Sequence, residues 1–274
     1  MEKEYEINID PRILELLGPN LYTNIYYVLA ELIANAYDAE AHNVYVIAYP
    51  DRIIVEDDGC GMSYENREIE NYLHVAKESR SNDEDSFTPH LNRKKMGRKG
   101  VGKLAALSVS ENVYVKTVKD NDKSGFILSR HIAPDRKLPA LAEADISFEK
   151  TREHGTAIVM MRPQYRLPKS LLTLKRNLLK LFPLVNDDFQ LHLLRGDEEI
   201  VISDPDKEII QQLGTLITLG DEFENLASNY RCDYPESKEK LLHQYSSHRI
   251  PVSMENKDFY GEQGWGRIRV HDGN

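Results

Sequence analysis

The sequence predicts an α+β fold, and three observations support this class. Residues 21–40 carry the periodicity of an amphipathic helix, two short runs rich in Val and Ile follow it directly, and three more strand candidates come after residue 110. Because the strands mostly follow one another in sequence, the mixture is typical of the α+β class.

The first predicted helix lies in LYTNIYYVLAELIANAYDAE. At about 100° per residue its apolar side chains cluster on one side, which we predict to be the core face. These side chains are Ile25, Leu29, Leu32, Ile33 and Ala36. The runs NVYVIAYP and RIIVEDD then predict a strand, a turn at Pro50-Asp51 and a second strand.

The middle of the chain predicts a helix over Tyr64–Ala76 and then a long mobile loop over residues 77–99, which is polar, charged and almost without apolar residues. A helix in VGKLAALSV follows, beginning immediately after a glycine. The later strand candidates are NVYVKTVK, SGFILSRH and GTAIVMMR.

We place a domain boundary where Pro163 and Pro168 punctuate the chain, which gives a first domain over residues 1–165 and a smaller α/β segment over 166–274. The second segment begins with an amphipathic helix, SLLTLKRNLLKLF, and a hairpin of FQLHLL and EEIVIS, followed by polar helical fragments near 206–213 and 236–245. Its last residues look like a strand cut off in mid-course, so we expect the chain to be a fragment of a longer protein.

Composition excludes several classes of protein. The formal net charge of -10 argues weakly against a surface that coats nucleic acid, although a local basic patch could still bind it. Cys60 and Cys232 form no C-x-x-C pair, so neither a disulfide framework nor a Cys-rich zinc site is expected. No apolar stretch approaches the roughly 18 residues of a membrane helix, and the N-terminus lacks the apolar core of a signal peptide. We therefore expect a soluble cytoplasmic protein with no membrane partner.

Three polar side chains share one face of the first helix, opposite its apolar stripe. Relative to Glu31, Asn35 lies at about 40° and Asp38 at about -20°. A solvated outer face would show the same pattern. Two carboxylates and a carboxamide on one face could equally hold a metal ion and activate a water molecule.

Two glycine-rich stretches follow. Asp57-Asp58-Gly59-Cys60-Gly61-Met62 comes directly after a strand, and its glycines allow the backbone to turn or to approach a ligand closely, although an ordinary β-turn has the same composition. In residues 97–104, GRKGVGKL, three glycines open a helix whose N–H groups could face phosphate, unless this is only a flexible basic loop. This stretch is not a Walker A motif, because Leu104 stands where that motif needs Ser or Thr. It also lacks the preceding strand that both a Walker A motif and a dinucleotide-binding fingerprint require.

Taken together and in this order, these stretches resemble the GHKL ATPase superfamily, which includes gyrase B, the ninety-kilodalton heat-shock chaperones, histidine kinases, MutL and the Morc-like proteins. The resemblance rests on E-x-x-x-N-A-x-D-A, D-D-G-x-G-M and G-R-K-G-V-G-K-L-A over residues 31–105, with Gly155-Thr156 as a fourth element. It implies a Bergerat fold, which is a two-layer α/β sandwich with helices on one face of a mixed, mostly antiparallel sheet.

The resemblance also implies roles for individual residues. Glu31 would be the general base that orients the attacking water, and Asn35 would be the sole direct protein ligand of Mg²⁺. Asp57 would accept the amino group of adenine, with support from Thr156 through water. The turn beneath the base would be formed by Gly59, Gly61 and Met62.

Residues 77–99 would form a lid over ATP, and the glycine loop would offer amides and positive charge to the phosphates. The residues expected to bind nucleotide here are Lys77, Gly97, Arg98, Lys99, Gly100, Val101, Gly102 and Lys103. Arg93, Lys94 and Lys95 add positive charge to the same stretch. The resemblance leaves Asp38 outside the catalytic set.

Glu31 favours hydrolysis, because histidine kinases typically carry Asn at this position. We expect ATP binding and slow hydrolysis to drive closure of the lid and dimerisation of two copies, within a DNA-repair, defence or chaperone-like machine. Nucleic acid or an effector protein would be bound through a C-terminal region beyond this chain. A histidine-kinase-type phosphotransferase and an ATP-binding switch without turnover remain the alternatives.

Overall fold

A computed structural model of the chain describes residues 3–9, 22, 24–74, 86–96, 102–131, 133–151, 153–181, 188–203, 215–219 and 241–245. The chain divides into two compact units, Met1–Pro205 and Asp206–Asn274. None of the helices within the described ranges is long and apolar enough to cross a membrane.

The first unit contains the candidate site and most of the described secondary structure. Its strands are β1 (Tyr5–Glu6), β2 (Asn43–Ala48), β3 (Arg52–Asp57), β4 (Asn112–Lys119), β5 (Asp122–Ser129), β6 (Lys137–Leu138), β7 (Gly155–Met161), β8 (Gln190–Arg195) and β9 (Glu198–Ile202). Its α-helices are α1 (Ile25–Asp38), α2 (Glu68–Leu73) and α3 (Leu171–Leu179), and two 3₁₀ helices span Gly102–Ser108 and Glu143–Asp145.

Seven of these strands form one sheet in the order β5-β4-β7-β3-β2-β8-β9. Every neighbouring pair is antiparallel except β2 and β8, which run parallel. β1 and β6 form a separate two-stranded antiparallel sheet. The predicted α+β fold, with helices and a mixed, mostly antiparallel sheet, is confirmed.

Helix α1 begins where the sequence offers a cap and a continuous apolar stripe. The side chain of Asn24 accepts the N–H of Tyr26 at 2.9 Å, as a helix N-cap does. All five predicted core residues of this helix are buried, and Val28 joins them. The helix contacts β3, α3 and the 3₁₀ helix Gly102–Ser108. The polar face of α1 is therefore left for the candidate site.

Two predicted helices are shorter or tighter in the structure. Only Glu68–Leu73 of the helix predicted over Tyr64–Ala76 is helical among the described residues, since Ser63 and Tyr64 join a turn whose carbonyls accept the N–H groups of Arg67 and Glu68. VGKLAALSV forms a 3₁₀ helix rather than an α-helix, and it spans Gly102–Ser108. This helix is buried from Leu104 onward.

The first unit extends to Pro205, beyond the boundary we placed at residue 165, because the sheet continues into the later segment. β8 pairs with β2 in register, with Val44 opposite Leu191, and β9 pairs with β8. Phe189, Leu191 and Leu193 are completely buried. The amphipathic helix and the hairpin that we assigned to a second domain are thus structural parts of the first.

The second unit contains β10 (Thr215–Leu219) and β11 (Leu241–Tyr245), which pair in parallel. Leu241–Tyr245 is thus a strand, where the sequence analysis expected the end of a polar helical fragment. The alternation of apolar and polar residues in this short segment is weak, and pairing with β10 determines its structure.

A second buried cluster lies on the other face of the sheet, away from α1. It contains Ile47, Ile54, Ala157, Val159 and Leu194, and Phe148 packs against it. Glu56 lies on this same face, since it is opposite Ala157 in the register of β3 and β7. Its carboxylate is only 1% exposed and accepts three backbone N–H groups, from Glu149, Lys150 and Thr151, at 2.8, 2.7 and 2.6 Å. Glu56 therefore fastens segment 148–151 over the apolar cluster.

Replacing Glu56 should destabilise the fold. Glu56→Ala removes a buried anion that accepts three N–H groups, and each hydrogen bond to a charged group contributes about 1.5–3 kcal/mol. Because water will partly solvate the freed N–H groups, we expect a loss of about 2–4 kcal/mol in the free energy of unfolding, measured by urea denaturation. Glu65→Ala, at an exposed position, is the control and should change stability by less than about 0.5 kcal/mol. Equal stabilities of the two variants would contradict this role of Glu56.

Candidate active site

The first and third motifs meet at Gly102. A Cβ atom on Gly102 would lie 2.6 Å from Oε2 of Glu31 and 3.9 Å from Oδ1 of Asn35. Glu31 and Asn35 are half-buried on α1, one turn apart. Any side chain at position 102 would therefore displace the Glu31 carboxylate, and the glycine allows the 3₁₀ helix to begin directly above the two polar side chains.

Tyr22 also contacts Glu31, although it lies before the helix begins. Burial raises the pKa of the Tyr22 phenol to about 12, and the Glu31 carboxylate adds to the rise through its charge and a hydrogen bond. The phenol donates this bond, since a carboxylate only accepts. No sequence pattern identifies Tyr22, because a single Tyr outside the helical repeat carries no periodic signal.

The carboxylates of Asp38 and Glu40, at the end of α1, hold residues 86–96, the described part of the predicted lid. Oδ1 of Asp38 accepts the N–H of Met96 at 2.7 Å. Oε1 of Glu40 accepts the N–H groups of His90 and Leu91, both at 2.7 Å. Asp38, which sequence reasoning could not assign, therefore contacts the backbone of the lid.

Arg93 ties the lid to two other segments. Its guanidinium donates to the carbonyl oxygens of Ala41 at 2.6 Å and of Asp188 at 2.8 Å. It also stacks over the rings of Tyr37 and Phe189, 4.8 and 5.5 Å from their centroids. We had counted Arg93 among the charges facing a triphosphate. In the structure it instead binds the end of α1 and the residues just before β8.

The second motif lies at the end of β3, beside the C-terminal end of α1. The Asp57 carboxylate is 7% exposed and accepts the N–H groups of Gly59, at 2.9 Å, and of Thr156. Burial raises its pKa to about 7; the two N–H groups oppose this rise, while the nearby carboxylates of Asp58 and Glu56 add to it. A carboxylate that is buried yet retains acceptor capacity suits a ligand that donates hydrogen bonds.

Close backbone contacts at three glycines position this turn. A Cβ on Gly61, whose φ is +64°, would lie 2.1 Å from the carbonyl oxygen of Val118. On Gly155, whose φ is +131°, it would lie 1.9 Å from the carbonyl oxygen of Asp57. A Cβ on Gly59 would lie 2.7 Å from the carbonyl oxygen of Ala39, the residue that ends α1. The turn is thus in direct backbone contact with α1, β4 and β7.

Thr117 is a buried residue of the site that no sequence motif includes. Its hydroxyl oxygen accepts the N–H of Met62 at 2.8 Å, and its hydrogen is donated to the carbonyl of Gly155 at 3.1 Å. His154 supports the same turn from β7's side, since its Nδ1 donates to the carbonyl of Gly59 at 2.8 Å. A Thr within an apolar β-strand gives no signal of this role in the sequence, because Thr is common in strands.

Asp58, next to Asp57, points away from this cluster and ties the turn to β2. Its carboxylate accepts the backbone N–H groups of His42 and Asn43 and the side-chain amide of Asn43, all at 2.7 Å. The two adjacent carboxylates therefore differ in role, and only Asp57 belongs to the candidate site.

The structure brings together Glu31, Asn35 and Gly102 at one end of the site, and Asp57, Gly59, Gly61, Met62 and Thr156 at the other. Among the remaining predicted site residues, Lys77, Gly97, Arg98, Lys99, Gly100 and Val101 lie outside the described residues. Lys103 is described only as part of the 3₁₀ helix. Within the described ranges, no group of three or more His, Cys, Asp or Glu side chains could hold a metal ion.

Comparison with known proteins agrees with this geometry. Residues 22–156 match the family described as histidine kinase-, DNA gyrase B-, and HSP90-like ATPase. These residues include both ends of the site, from Tyr22 to Thr156.

A curated relative is similar over most of the chain. It is the "putative type II restriction enzyme HgiDII" of Herpetosiphon aurantiacus, 28% identical over 232 residues. The match covers 82% of this chain and 36% of that protein, so the chain spans about a third of the length of its relative. The motifs, the fold and the family match agree, and residues 22–156 of the chain belong to the histidine kinase-, DNA gyrase B- and HSP90-like (GHKL) ATPase family.

Proposed function

We propose that the chain binds ATP together with Mg²⁺ and hydrolyses it slowly. The observation that carries this proposal is the approach of the Glu31 carboxylate to Gly102, with Asn35 beside both. The Glu31 carboxylate is thus within reach of the place where amides of the glycine loop would face the γ-phosphate. Membership of the family supports ATP binding, and the residue at position 31 supports hydrolysis.

In this proposal Glu31 acts as the general base. Its carboxylate accepts a hydrogen bond from Tyr22, which restricts its rotamers, and it would accept a proton from the attacking water. Amide groups of the glycine loop would stabilise the negative charge that develops on the phosphate oxygens.

Asn35 would hold Mg²⁺ through Oδ1, which lies 3.9 Å from the Cβ position of Gly102. Amide oxygens are suitable ligands for Mg²⁺, which commonly takes one or two protein ligands together with substrate phosphates and water. The side chains present therefore fit the ion. When bound, Mg²⁺ would neutralise charge on the phosphates.

Asp57 and Thr156 would bind the base. They lie opposite one another on β3 and β7, and Asp57 accepts the N–H of Gly59 in the turn that follows β3. A carboxylate that accepts only two N–H groups in this turn has lone pairs left for the amino group of adenine.

We also propose that closure of the lid couples ATP to dimerisation and to an effector region. The lid residues 86–96 contact the end of α1 through Asp38, Glu40 and Arg93, so their position depends on the helix that carries Glu31. The name of the relative favours a defence system that acts on nucleic acid over a repair or chaperone-like machine. The resemblance also implies that residues 166–274 begin a transducer-like second domain. The part of this range beyond Pro205, which forms the second unit, keeps that assignment as part of the same proposal.

Glu31→Gln should separate binding from hydrolysis. The amide retains the size of the side chain but cannot accept a proton from water, so ATP affinity should change by less than about threefold while hydrolysis falls by about 10²–10⁴-fold. Calorimetry and release of free phosphate measure the two quantities, and Glu65→Gln is the control. Unchanged hydrolysis would rule out the base assignment. Labelled phosphate on protein would favour a phosphotransferase, and wild-type binding without turnover would favour a switch.

The free energy of unfolding should depend on pH through Asp57. Because its folded pKa is raised to about 7 from 3.8, the native state binds this proton more tightly than the unfolded state. The resulting stability is complete below about pH 3.8 and is lost as pH rises through 7. Between about pH 5 and pH 8 we expect the nucleotide-free protein to lose about 2–3 kcal/mol through this group.

Urea denaturation across this range should show that loss in the wild type and not in Asp57→Asn, which cannot ionise. Because other groups titrate in both proteins, the difference between the two curves is the relevant quantity. Parallel curves would contradict a raised pKa at Asp57.

Arg93→Ala should release the lid. Two hydrogen bonds from a charged donor to carbonyls are lost, and a single one of them contributes about 1.5–3 kcal/mol, so local opening should become at least tenfold more frequent. Chymotrypsin cleavage at the exposed Phe87 and Leu91 measures this opening. Glu65→Ala, at an exposed position outside residues 86–96, is the control. If both variants are cleaved at the rate of wild type, Arg93 does not hold the lid.

A further inference from the structure

We propose that Thr117 fixes the direction in which the hydroxyl of Thr156 donates, and thereby makes the base pocket select a 6-aminopurine over a 6-oxopurine. Thr117 would be a positioning residue, since it acts on the ligand through Thr156. This inference rests on the proposed function, namely that the site between β3 and β7 binds the base of a nucleoside triphosphate.

Three polar side chains form a row across the sheet. Asp57 on β3 is opposite Thr156 on β7, which is opposite Thr117 on β4. Residues directly opposite in neighbouring strands project from the same face, so all three lie on the face that α1 covers. Thr117 is completely buried, whereas Thr156 is half-buried.

The hydrogen of Thr117 is already committed. Its oxygen lies 3.1 Å from the carbonyl oxygen of Gly155, and a carbonyl can only accept, so Thr117 is the donor in that contact. One lone pair of Thr117 accepts the N–H of Met62 at 2.8 Å. Its remaining lone pair faces the hydroxyl of Thr156 at 3.4 Å.

In the 3.4 Å contact between the two hydroxyls, Thr156 is therefore the donor. A hydroxyl carries one hydrogen and two lone pairs, so the oxygen of Thr156 then presents only lone pairs to the pocket. The ionised Asp57 carboxylate beside it also presents only lone pairs. A 6-amino group can donate to both acceptors, directly or through a water molecule. A 6-oxo group would bring a third acceptor against them, with no hydrogen to share.

Removing the Thr117 hydroxyl should relax this selection. In Thr117→Val the hydroxyl of Thr156 loses its acceptor, and it becomes free to rotate and donate to a 6-oxo group. The lost bond to Met62 should weaken binding of both nucleotides alike, so the ratio of their affinities isolates the effect on the base. One hydrogen bond corresponds to about a tenfold change in this ratio.

The experiment measures dissociation constants of ATP and ITP by calorimetry at about pH 8.5, where Asp57 is ionised. These two nucleotides differ in their 6-substituent and at N1, which accepts a hydrogen bond in ATP and carries a hydrogen in ITP, so the relevant quantity is the change in the ATP-to-ITP ratio from one variant to the next. We expect the wild type and Thr117→Ser to prefer ATP. In Thr117→Val the ratio of ATP affinity to ITP affinity should be about tenfold smaller. In the double variant Thr117→Val/Thr156→Val no hydroxyl remains to donate, so ITP should not gain affinity relative to Thr156→Val alone.

Two results would overturn the inference: an unchanged ATP-to-ITP ratio in Thr117→Val, or the same shift in ratio whether or not Thr156 is present. Thr117→Ala, which removes the hydroxyl without adding a methyl group, serves if the Val variant does not fold. A wild-type protein that binds neither nucleotide would instead contradict the proposed function, so the two failures are distinguishable.

Discussion

Every part of the candidate site is built against α1, and the arrangement depends on how this one helix is held. Its apolar stripe, from Ile25 to Ala36, is buried, which fixes the rotation of the helix about its axis. That rotation leaves Glu31 and Asn35 half-buried under Gly102. The carbonyl of Ala39, where the helix ends, accepts the N–H of Cys60 at 2.9 Å and so locates the turn after Asp57. Burial of the apolar face of α1 thus positions the polar side chains on its opposite face.

The base end of the site depends on close backbone contacts. Gly155 approaches Asp57 so closely that no side chain fits between them, and Gly61 approaches Val118 in the same way. These contacts leave room for the hydroxyl of Thr117 to join Met62 and Gly155, and for Thr156 to lie beside Asp57. Larger residues at the two glycines would separate β3, β4 and β7 from the turn, and the polar row across these strands would lose its register.

The sequence predicts the elements whose signal is local. The periodicity of α1 identified five of its six buried residues. Short runs rich in Val and Ile identified β2 and β3, and the run NVYVKTVK identified β4. The spacing of Glu31 and Asn35 placed both on one face, because a helix fixes that relation. The membership of β8 and β9 in the first unit could not be predicted in this way, since pairing of β8 with β2 joins residues about 150 positions apart.

The contacts of single side chains were predicted least well, because the charge and hydrogen-bonding capacity of a residue do not reveal which residue it contacts. Arg93 lies in a basic stretch that suggests phosphate binding, yet its guanidinium reaches carbonyls of Ala41 and Asp188. Tyr22 and Thr117 stand outside any motif, and only the fold brings them to Glu31 and Met62. The position of a buried hydroxyl is decided by strand register, which no local pattern encodes.

The energetics of the lid limit what ATP must do if it is to move this segment. Three N–H groups of the predicted lid donate to Asp38 and Glu40. Arg93 adds two short hydrogen bonds, to the carbonyls of Ala41 and Asp188, a long one to Tyr37 and two ring contacts. At about 1 kcal/mol net for each hydrogen bond, this docking amounts to several kcal/mol. A ligand shifts such an equilibrium only by the difference between its affinities for the two states. If the predicted lid is to leave α1, it must form new contacts with the phosphates whose free energy exceeds this docking energy. The size of the docking energy is set by the contacts of Asp38, Glu40 and Arg93.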